Sequence, residues 1–206
     1  MKTLIISIIT FFIMTNITAQ KNYRKAKEAN GLKVGQQAPD FSANDANGKT
    51  FQLSEELKNS PVVIIFYRGQ WCPICNKHLG TVQKNLEQIT KKGARVVAVS
   101  PEKPELLETT AEKTGANFTL LFDERYKIAD AWDVTFRPGK ATRLMYNTML
   151  GANLKEAHSD DSQRLPIPAT YVINTDGKIV WRHFDPDYKK RSTIEDIVAA
   201  LAKLND

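Results

Sequence analysis

The sequence predicts an α/β fold in which a central mixed sheet is covered by helices. Apolar runs typical of buried strands alternate with helical segments along most of the chain, and a hairpin followed by a helix closes it. Of the 206 residues, 42% are hydrophobic and 25% are charged, which suits a globular chain with a substantial core. We therefore expect one domain built around one sheet.

The individual elements follow from periodicity and turn residues. Asn47-Gly48 between two short runs predicts a hairpin over 41–53. The continuous apolar run 62–67 predicts a strand buried on both faces. From Cys72, apolar residues recur at steps of three and four, which predicts one helix that ends at Gly93. The other predicted strands are 95–100, 118–122, 169–174 and 178–184, and the other predicted helices are 104–113, 126–132 and one opened by a capping box at 192–195.

Residues 135–165 interrupt this alternation. Pro138-Gly139 breaks the chain, and residues 141–154 form a helical pattern with Leu144 and Met149 on one face. We interpret the segment as an insertion at the sheet edge. It is either a lid near the reactive residues or a packing element without a functional role.

The first residues have the pattern of a secretory signal peptide. Lys2 precedes an apolar run from Leu4 to Met14, and a small residue, Ala19, marks the expected cleavage point. The predicted organisation is a signal peptide over 1–19, an exposed lead-in over 20–34 and the folded domain over 35–206. The expected location is outside the cytosol, in a bacterial periplasm, with no membrane span after cleavage. The alternative is an uncleaved N-terminal anchor facing the same compartment.

Charge does not point to a nucleic-acid partner. The net charge is +6, but lysines and acids are interspersed, and no long basic block is present. A solvated surface explains this pattern, so we expect no nucleic-acid binding.

The stretch Trp71-Cys72-Pro73-Ile74-Cys75 carries the chemistry. It lies between a predicted strand and a predicted helix, and its two cysteines are the only ones in the chain. A disulfide that closes so short a loop constrains the unfolded chain very little, so a structural staple is a poor explanation for the pair. A dithiol that cycles to a disulfide is the better one.

The two thiols are predicted to differ. Cys72 stands at the N-terminus of the helix, where unpaired N–H groups favour a thiolate, so we expect it to be the more exposed and more acidic thiol. Cys75 lies one turn further on and can resolve a mixed disulfide formed at Cys72. Pro73 fits the first helical turn, and the ring of Trp71 is expected to bind and screen a target.

At this point the chain resembles the thioredoxin-fold redoxins, in particular the peroxiredoxin-like proteins of the alkyl hydroperoxide reductase and thiol-specific antioxidant group. The resemblance is carried by 34–41, 66–75 and 168–177 and covers most of the chain. It implies a thioredoxin-like fold. Laid without gaps, the group's Pro, Thr, peroxidatic Cys and Arg positions fall on Arg68, Cys72, Cys75 and Pro168, so only the cysteine matches.

Pro168 also resembles the cis-proline that faces the dithiol in thioredoxins. The resemblance implies a cis bond before it and a backbone edge at Ile167 for a target peptide. Trp71, Pro73, Ile167 and Pro168 are therefore the predicted substrate-binding residues, beside the catalytic Cys72 and Cys75. Thioredoxins also bury an acid six residues before the first cysteine, a position that Phe66 occupies here.

Three functions remain open at this stage, and the sequence favours the first, because the dithiol is present whereas the hydrogen-bonding residues that activate a peroxide in the resembling group are largely missing. The first is an exported thiol–disulfide oxidoreductase that acts on protein disulfides or thiols and exchanges electrons with an external thiol reductant or oxidant. The second is a thiol-dependent peroxidase that reduces hydroperoxides. The third is a copper metallochaperone that uses Cys72, Cys75 and His78, although His78 is expected to be a surface residue. For the first two we expect no cofactor and no metal.

Overall fold

The computed structural model describes residues 23–204 and has the predicted architecture. Its strands are β1 (Ser42–Asn44), β2 (Thr50–Gln52), β3 (Val62–Phe66), β4 (Arg95–Ser100), β5 (Thr119–Phe122), β6 (Thr135–Phe136), β7 (Leu165–Pro166), β8 (Ala169–Ile173) and β9 (Ile179–Phe184). Its α-helices are α1 (Leu53–Leu57), α2 (Pro73–Lys84), α3 (Leu86–Thr90), α4 (Pro104–Thr114), α5 (Lys127–Ala131), α6 (Lys140–Met149), α7 (Leu154–Ala157) and α8 (Ile194–Ala202).

Five strands form the central sheet in the order β5-β4-β3-β8-β9. β3, β4 and β5 run parallel, whereas β8 is antiparallel to β3 and β9 is antiparallel to β8, so the sheet is mixed. The C-terminal ends of β3 and β4 meet at one edge. This is the edge at which parallel sheets commonly place their functional residues.

Both faces of β3 are buried, and this explains why its sequence is apolar throughout. Val63 and Ile65 belong to the core cluster shared with α2, α4 and α8, whereas Val62 and Ile64 belong to the cluster shared with α1, α5 and the β1–β2 hairpin. Because side chains alternate along a strand, a strand covered on both faces must be apolar at every position.

Three of the predicted helices have different bounds in the structure. The helix predicted from Cys72 to Gly93 is interrupted at Asn85, whose ψ of 14° separates α2 from α3. The predicted helix 141–154 ends at Met149, and a chain reversal leads to α7. The cap of α8 is Thr193, which accepts from the Asp196 N–H at 3.1 Å, so the predicted box is wrong by one residue.

The segment 135–165 is anchored at both ends. β6 and β7 pair with each other in a two-stranded sheet that the sequence did not predict. α6 lies between them along the chain and exposes Leu144, Met145 and Met149 to solvent. It buries Tyr146, which contacts the active-site segment described below.

The N-terminus predicted to be a signal peptide lies outside the described residues. None of the helices in 23–204 is long and apolar enough to cross a membrane.

Candidate active site

The site is built where β3 leaves the sheet and α2 begins. Tyr67 to Trp71 form the connecting loop, and Cys72 is the N-cap of α2. Pro73 occupies the first helical position, where the missing N–H costs nothing, as the sequence predicts. Cys72 and Cys75 are joined in a disulfide, with their Cα atoms 5.2 Å apart.

Both sulfurs are buried. Cys72 is 0% exposed and Cys75 is 1% exposed, so the prediction that Cys72 is the more exposed thiol is wrong in this disulfide form. The reason is a cover of side chains from distant segments that the local sequence does not reveal. Trp71 is part of this cover and is itself buried, with its ring centroid 4.9 Å from that of Tyr146.

Arg68 approaches Cys72 most closely. Its Nη2 lies 3.0 Å from the sulfur of Cys72, and its Nη1 donates to the hydroxyl of Tyr146 at 3.0 Å. The guanidinium carbon lies 4.0 Å from the ring centroid of Tyr188 and 5.1 Å from that of Trp71. Burial lowers the pKa of Arg68 below its ordinary value, but the group stays charged in the physiological range.

Helix geometry adds a second donor to the same sulfur. The backbone N–H of Cys75 donates to the sulfur of Cys72 at 3.2 Å, as expected for an N-cap. The unpaired N–H groups and dipole of α2 also favour negative charge at this end. Cys72 therefore stands among donors that stabilise a thiolate.

Arg191 approaches the other sulfur. Its Nη2 lies 3.6 Å from the sulfur of Cys75, and it reaches this place from the segment before α8, 116 residues along the chain. Burial, followed by the charge of Arg68, lowers the pKa of Arg191 to about 10. Neither arginine was singled out as a site residue from the sequence.

His78 helps to fix the segment that carries Arg191. Its Nε2 lies 3.1 Å from the hydroxyl of Ser192, which in turn lies 2.9 Å from that of Thr170 in β8. Burial, followed by the charge of Arg191, lowers the pKa of His78 to about 4. The expectation that His78 is a surface residue is therefore wrong, because α2 turns it towards Ser192.

The copper hypothesis names Cys72, Cys75 and His78. Within residues 23–204 no group of three His, Cys, Asp or Glu side chains is arranged to hold a metal ion. The ring nitrogen of His78 that could serve a copper ion is engaged with Ser192.

The predicted docking edge at Ile167 and Pro168 has a different geometry from the one inferred. All peptide bonds between residues 23 and 204 are trans, so the predicted cis bond before Pro168 is wrong. The Ile167 N–H donates to the carbonyl of Val134 at 2.7 Å, and the residue is buried. Pro168 lines a pocket of about 230 Å³ with Tyr146 and Tyr188. The substrate-binding roles of Trp71, Pro73, Ile167 and Pro168 stay predictions.

Known proteins resemble this chain in sequence and in fold. Residues 34–182 match the AhpC/TSA family. Peroxiredoxin Bcp of Escherichia coli is 34% identical over 169 residues, which cover 82% of this chain and 94% of that protein. Peroxiredoxin Q of Populus jackii chloroplasts is 34% identical over 145 residues, covering 64% of this chain and 66% of that protein.

The fold agrees with these relatives. The crystal structure of peroxidoxin BcpB from Mycobacterium tuberculosis superposes with a TM-score of 0.65 at 22% identity, covering 85% of this chain and 99% of that one. The thioredoxin-like architecture predicted from the sequence is thereby confirmed. On the family match and the E. coli relative together, the chain belongs to the AhpC/TSA family and is an oxidoreductase.

Proposed function

We propose that this protein is a thiol-dependent peroxidase that reduces hydroperoxides with Cys72 and Cys75 and is returned to the dithiol by an external thiol. The observation that carries the proposal is a buried cation without a counter-ion. Arg68 is 2% exposed, and no carboxylate among residues 23–204 lies within ion-pair distance of it.

A buried charge is costly unless it is paired. Three aromatic rings and the hydroxyl of Tyr146 compensate Arg68 in part. In the reduced protein the remaining partner within 3.0 Å is the sulfur of Cys72. A thiolate there would pair with the guanidinium, so the arrangement favours ionised Cys72, the form that attacks peroxides.

The reaction then balances as follows. The Cys72 thiolate attacks one oxygen of the hydroperoxide, and the O–O bond breaks to leave a sulfenic acid on Cys72. The departing oxygen takes up one proton, equivalent to the proton lost when the Cys72 thiol ionised, and leaves as an alcohol or water. The thiol of Cys75 attacks that sulfur, releases water and closes the disulfide. Two electrons and two protons from an external dithiol, or from two monothiols, then restore both thiols. Arg68 and Arg191 stand where the developing oxyanion can be stabilised.

Burial of the sulfurs favours a small substrate. A hydroperoxide can enter a closed site more readily than a protein disulfide, whose sulfur must reach the attacking thiol in line. The Cys-x-x-Cys spacing also suits a thiol–disulfide oxidoreductase, and this is the second candidate. It requires the cover formed by Tyr146 and Tyr188 to move before a protein target can reach Cys72.

We also propose that the protein is exported from the cytosol. The N-terminal pattern with its cleavage point at Ala19 supports a mature protein that works in an extracytoplasmic compartment, as a bacterial periplasm provides. There the protein would need a reductant delivered to that side of the membrane. Cell fractionation followed by N-terminal sequencing tests this: absence of the protein from the extracytoplasmic fraction would contradict export, and an intact Met1 in that fraction would contradict cleavage alone.

The function is tested by offering the reduced protein hydrogen peroxide, an alkyl hydroperoxide and a protein disulfide in turn. We expect peroxide to consume the thiols about a hundredfold faster or more at equal concentration, since a small peroxide can reach the buried Cys72 sulfur more readily than a protein disulfide can. Faster consumption by the protein disulfide would establish the second candidate instead.

Single variants assign the two sulfurs. With Cys75→Ser, peroxide should still react, and the sulfenic acid should persist on Cys72 long enough to be trapped by dimedone and located by mass spectrometry. With Cys72→Ser, the fast reaction should be lost. The reverse pattern would make Cys75, which stands at the family's peroxidatic position, the attacking residue.

A further inference from the structure

An acidic side chain is buried directly beneath the active-site loop. Glu102 follows β4 at the sheet edge that also carries the Cys72 loop, and it is 0% exposed. Its Oε2 accepts from the backbone N–H of Gln70 at 2.7 Å. The carbonyl of the preceding residue, Gly69, accepts the N–H of Cys72 at 3.1 Å. Glu102 is thus two hydrogen bonds away from the backbone of the reactive cysteine.

Two polar atoms beside this contact are buried without partners. They are the Oε1 of Glu102 and the indole Nε1 of Trp71. Both border the open side of Gly69, where a Cβ would clash with each of them. Gly69 has a φ of +149° and is the residue that leaves this space free. Buried polar groups left unpaired in a folded protein call for a functional explanation or a bridging water.

The surroundings of Glu102 are poor in charge. It forms no ion pair within the described residues. The titratable groups around it are the hydroxyl of Tyr67, which directly follows β3, the ammonium of Lys113 from α4, and His158, which pairs with Glu102 in an isolated antiparallel bridge. Lys113 donates to the carbonyl of Gln70 at 3.4 Å instead. Burial raises the pKa of Glu102 to about 8, against the weaker effects of the Gln70 N–H and Lys113.

We propose that Glu102 is a proton-dependent positioning residue that holds the Gly69–Cys72 loop through Gln70 and, when it loses its proton, recruits the indole N–H of Trp71. A neutral carboxyl is tolerated in this apolar place, whereas a carboxylate needs donors. Two unused donors lie near Glu102, the Tyr67 hydroxyl and Trp71 Nε1–H, and Trp71 Nε1 is the one that borders the same side of Gly69 as Oε1 of Glu102.

The consequence reaches the reactive sulfur by two routes. Movement of Trp71 alters the ring against which Arg68 is packed, and a negative charge below the loop disfavours a second negative charge on Cys72. Loss of the Glu102 proton should therefore slow the reaction of Cys72. This part rests on the proposed function, whereas the contact between Glu102 and Trp71 does not.

The contact is tested in the disulfide form, in which neither cysteine titrates. Indole 1H–15N resonances of Trp71, Trp132 and Trp181 are followed from about pH 6 to pH 10, with Trp71 assigned by Trp71→Phe. We expect the Trp71 resonance alone to shift, with one inflection on the alkaline side of pH 7. In Glu102→Gln, which keeps the acceptor for Gln70 but cannot ionise, this inflection should vanish.

Either of two results overturns the proposal. One is a Trp71 resonance that stays flat across this range in the unmodified protein, a measurement that needs no variant. The other is an inflection that persists in Glu102→Gln. Should Glu102→Gln not fold, Glu102→Asp replaces it and must retain an inflection at a displaced pH, and its absence counts against the proposal.

A kinetic readout then connects the contact to reactivity. The peroxide rate of unmodified protein, divided by that of Glu102→Gln, should fall about threefold from pH 7 to pH 9, because like charges repel through a partly shielded medium. If this ratio stays constant while the Trp71 inflection is observed, the proposed effect of Glu102 on the reactivity of Cys72 is contradicted. If peroxide proves not to be the substrate, the indole titration still decides the structural claim.

Discussion

The two sulfurs of one disulfide lie in different surroundings. On the Cys72 side, Arg68 is buried among the rings of Trp71, Tyr146 and Tyr188 and lies 3.0 Å from the sulfur. On the Cys75 side, Arg191 is half-buried and lies 3.6 Å away. Its segment is held by hydroxyls and an imidazole, and a groove of about 600 Å³ opens beside it.

This difference shows that the two sulfurs of one disulfide can differ in how strongly their surroundings stabilise a thiolate. A cation in a dry aromatic enclosure interacts strongly with a thiolate, because little solvent screens it. A cation at the edge of a groove is screened more. Under the proposed function, the Cys72 side holds the negative charge, and the Cys75 thiol stays neutral until it attacks the oxidised sulfur of Cys72.

Removing the two arginines in turn provides the largest test of this comparison. We expect Arg68→Gln to raise the pKa of the Cys72 thiol, because the neighbouring positive charge is lost, and to slow peroxide attack at neutral pH about a hundredfold. Arg191→Gln should slow it about tenfold or less, because its charge is screened and faces the other sulfur. Stopped-flow kinetics and thiolate absorbance against pH measure both quantities.

Two controls accompany these variants. Arg68→Lys keeps a charge but not the planar fork, and it should recover only part of the rate. Lys84→Gln removes one exposed positive charge from the far end of α2 and should leave the rate unchanged. A larger effect from Arg191→Gln than from Arg68→Gln would reverse the roles of the two sides.

The central strands could be predicted from short stretches of sequence, because burial on both faces leaves its mark on each residue of the strand. Strands covered on both faces must be apolar at each position, so β3 and β4 can be recognised in the sequence as continuous apolar runs. The break between α2 and α3 cannot be predicted from periodicity, because the apolar stripe continues from Val82 to Leu86 across Asn85. Tertiary packing fixes that break, and periodicity does not record it.

The site divides in the same way. The Cys-x-x-Cys spacing identifies Cys72 and Cys75 as reactive residues. Arg68 could also have been identified, because it directly follows the predicted apolar strand. Glu102, an acid two residues after β4, was a similar signal at the same sheet edge. Arg191 gave none, because folding alone brings it to Cys75 from 116 residues away.

We expect acid to weaken the Cys75 side through His78, and His158, whose pKa burial also lowers to about 4, stays unchanged in the comparison below. The pKa of His78 is lowered to about 4 in the folded protein, from 6.5. Because the folded state disfavours the proton, stability is complete above about pH 6.5 and is lost as the pH falls towards 4. Between pH 7 and pH 4.5 we expect unmodified protein to lose about 2 kcal/mol more unfolding free energy than His78→Gln.

Urea unfolding of both proteins at the two pH values gives this difference directly. Gln keeps a polar group that can bond the hydroxyl of Ser192, so the variant isolates protonation from the loss of that contact. Equal losses in the two proteins would mean that His78 does not carry the acid sensitivity. Among residues 23–204, the groups that contact the Arg68 guanidinium are aromatic rings, the Tyr146 hydroxyl and the Cys72 sulfur, so this side should not share the acid sensitivity.

The smallest expected effect belongs to one hydroxyl in the Arg68 enclosure. Tyr146→Phe removes the 3.0 Å bond from Arg68 but keeps the ring that stacks on Trp71. We expect peroxide attack to slow about fivefold and the unfolding free energy to fall by about 1 kcal/mol, the usual net value of such a bond. Met145→Ala, at an exposed neighbour on α6, should change neither. If the peroxide rate of Tyr146→Phe is unchanged, the rings alone orient Arg68, and α6 covers the disulfide without tuning it.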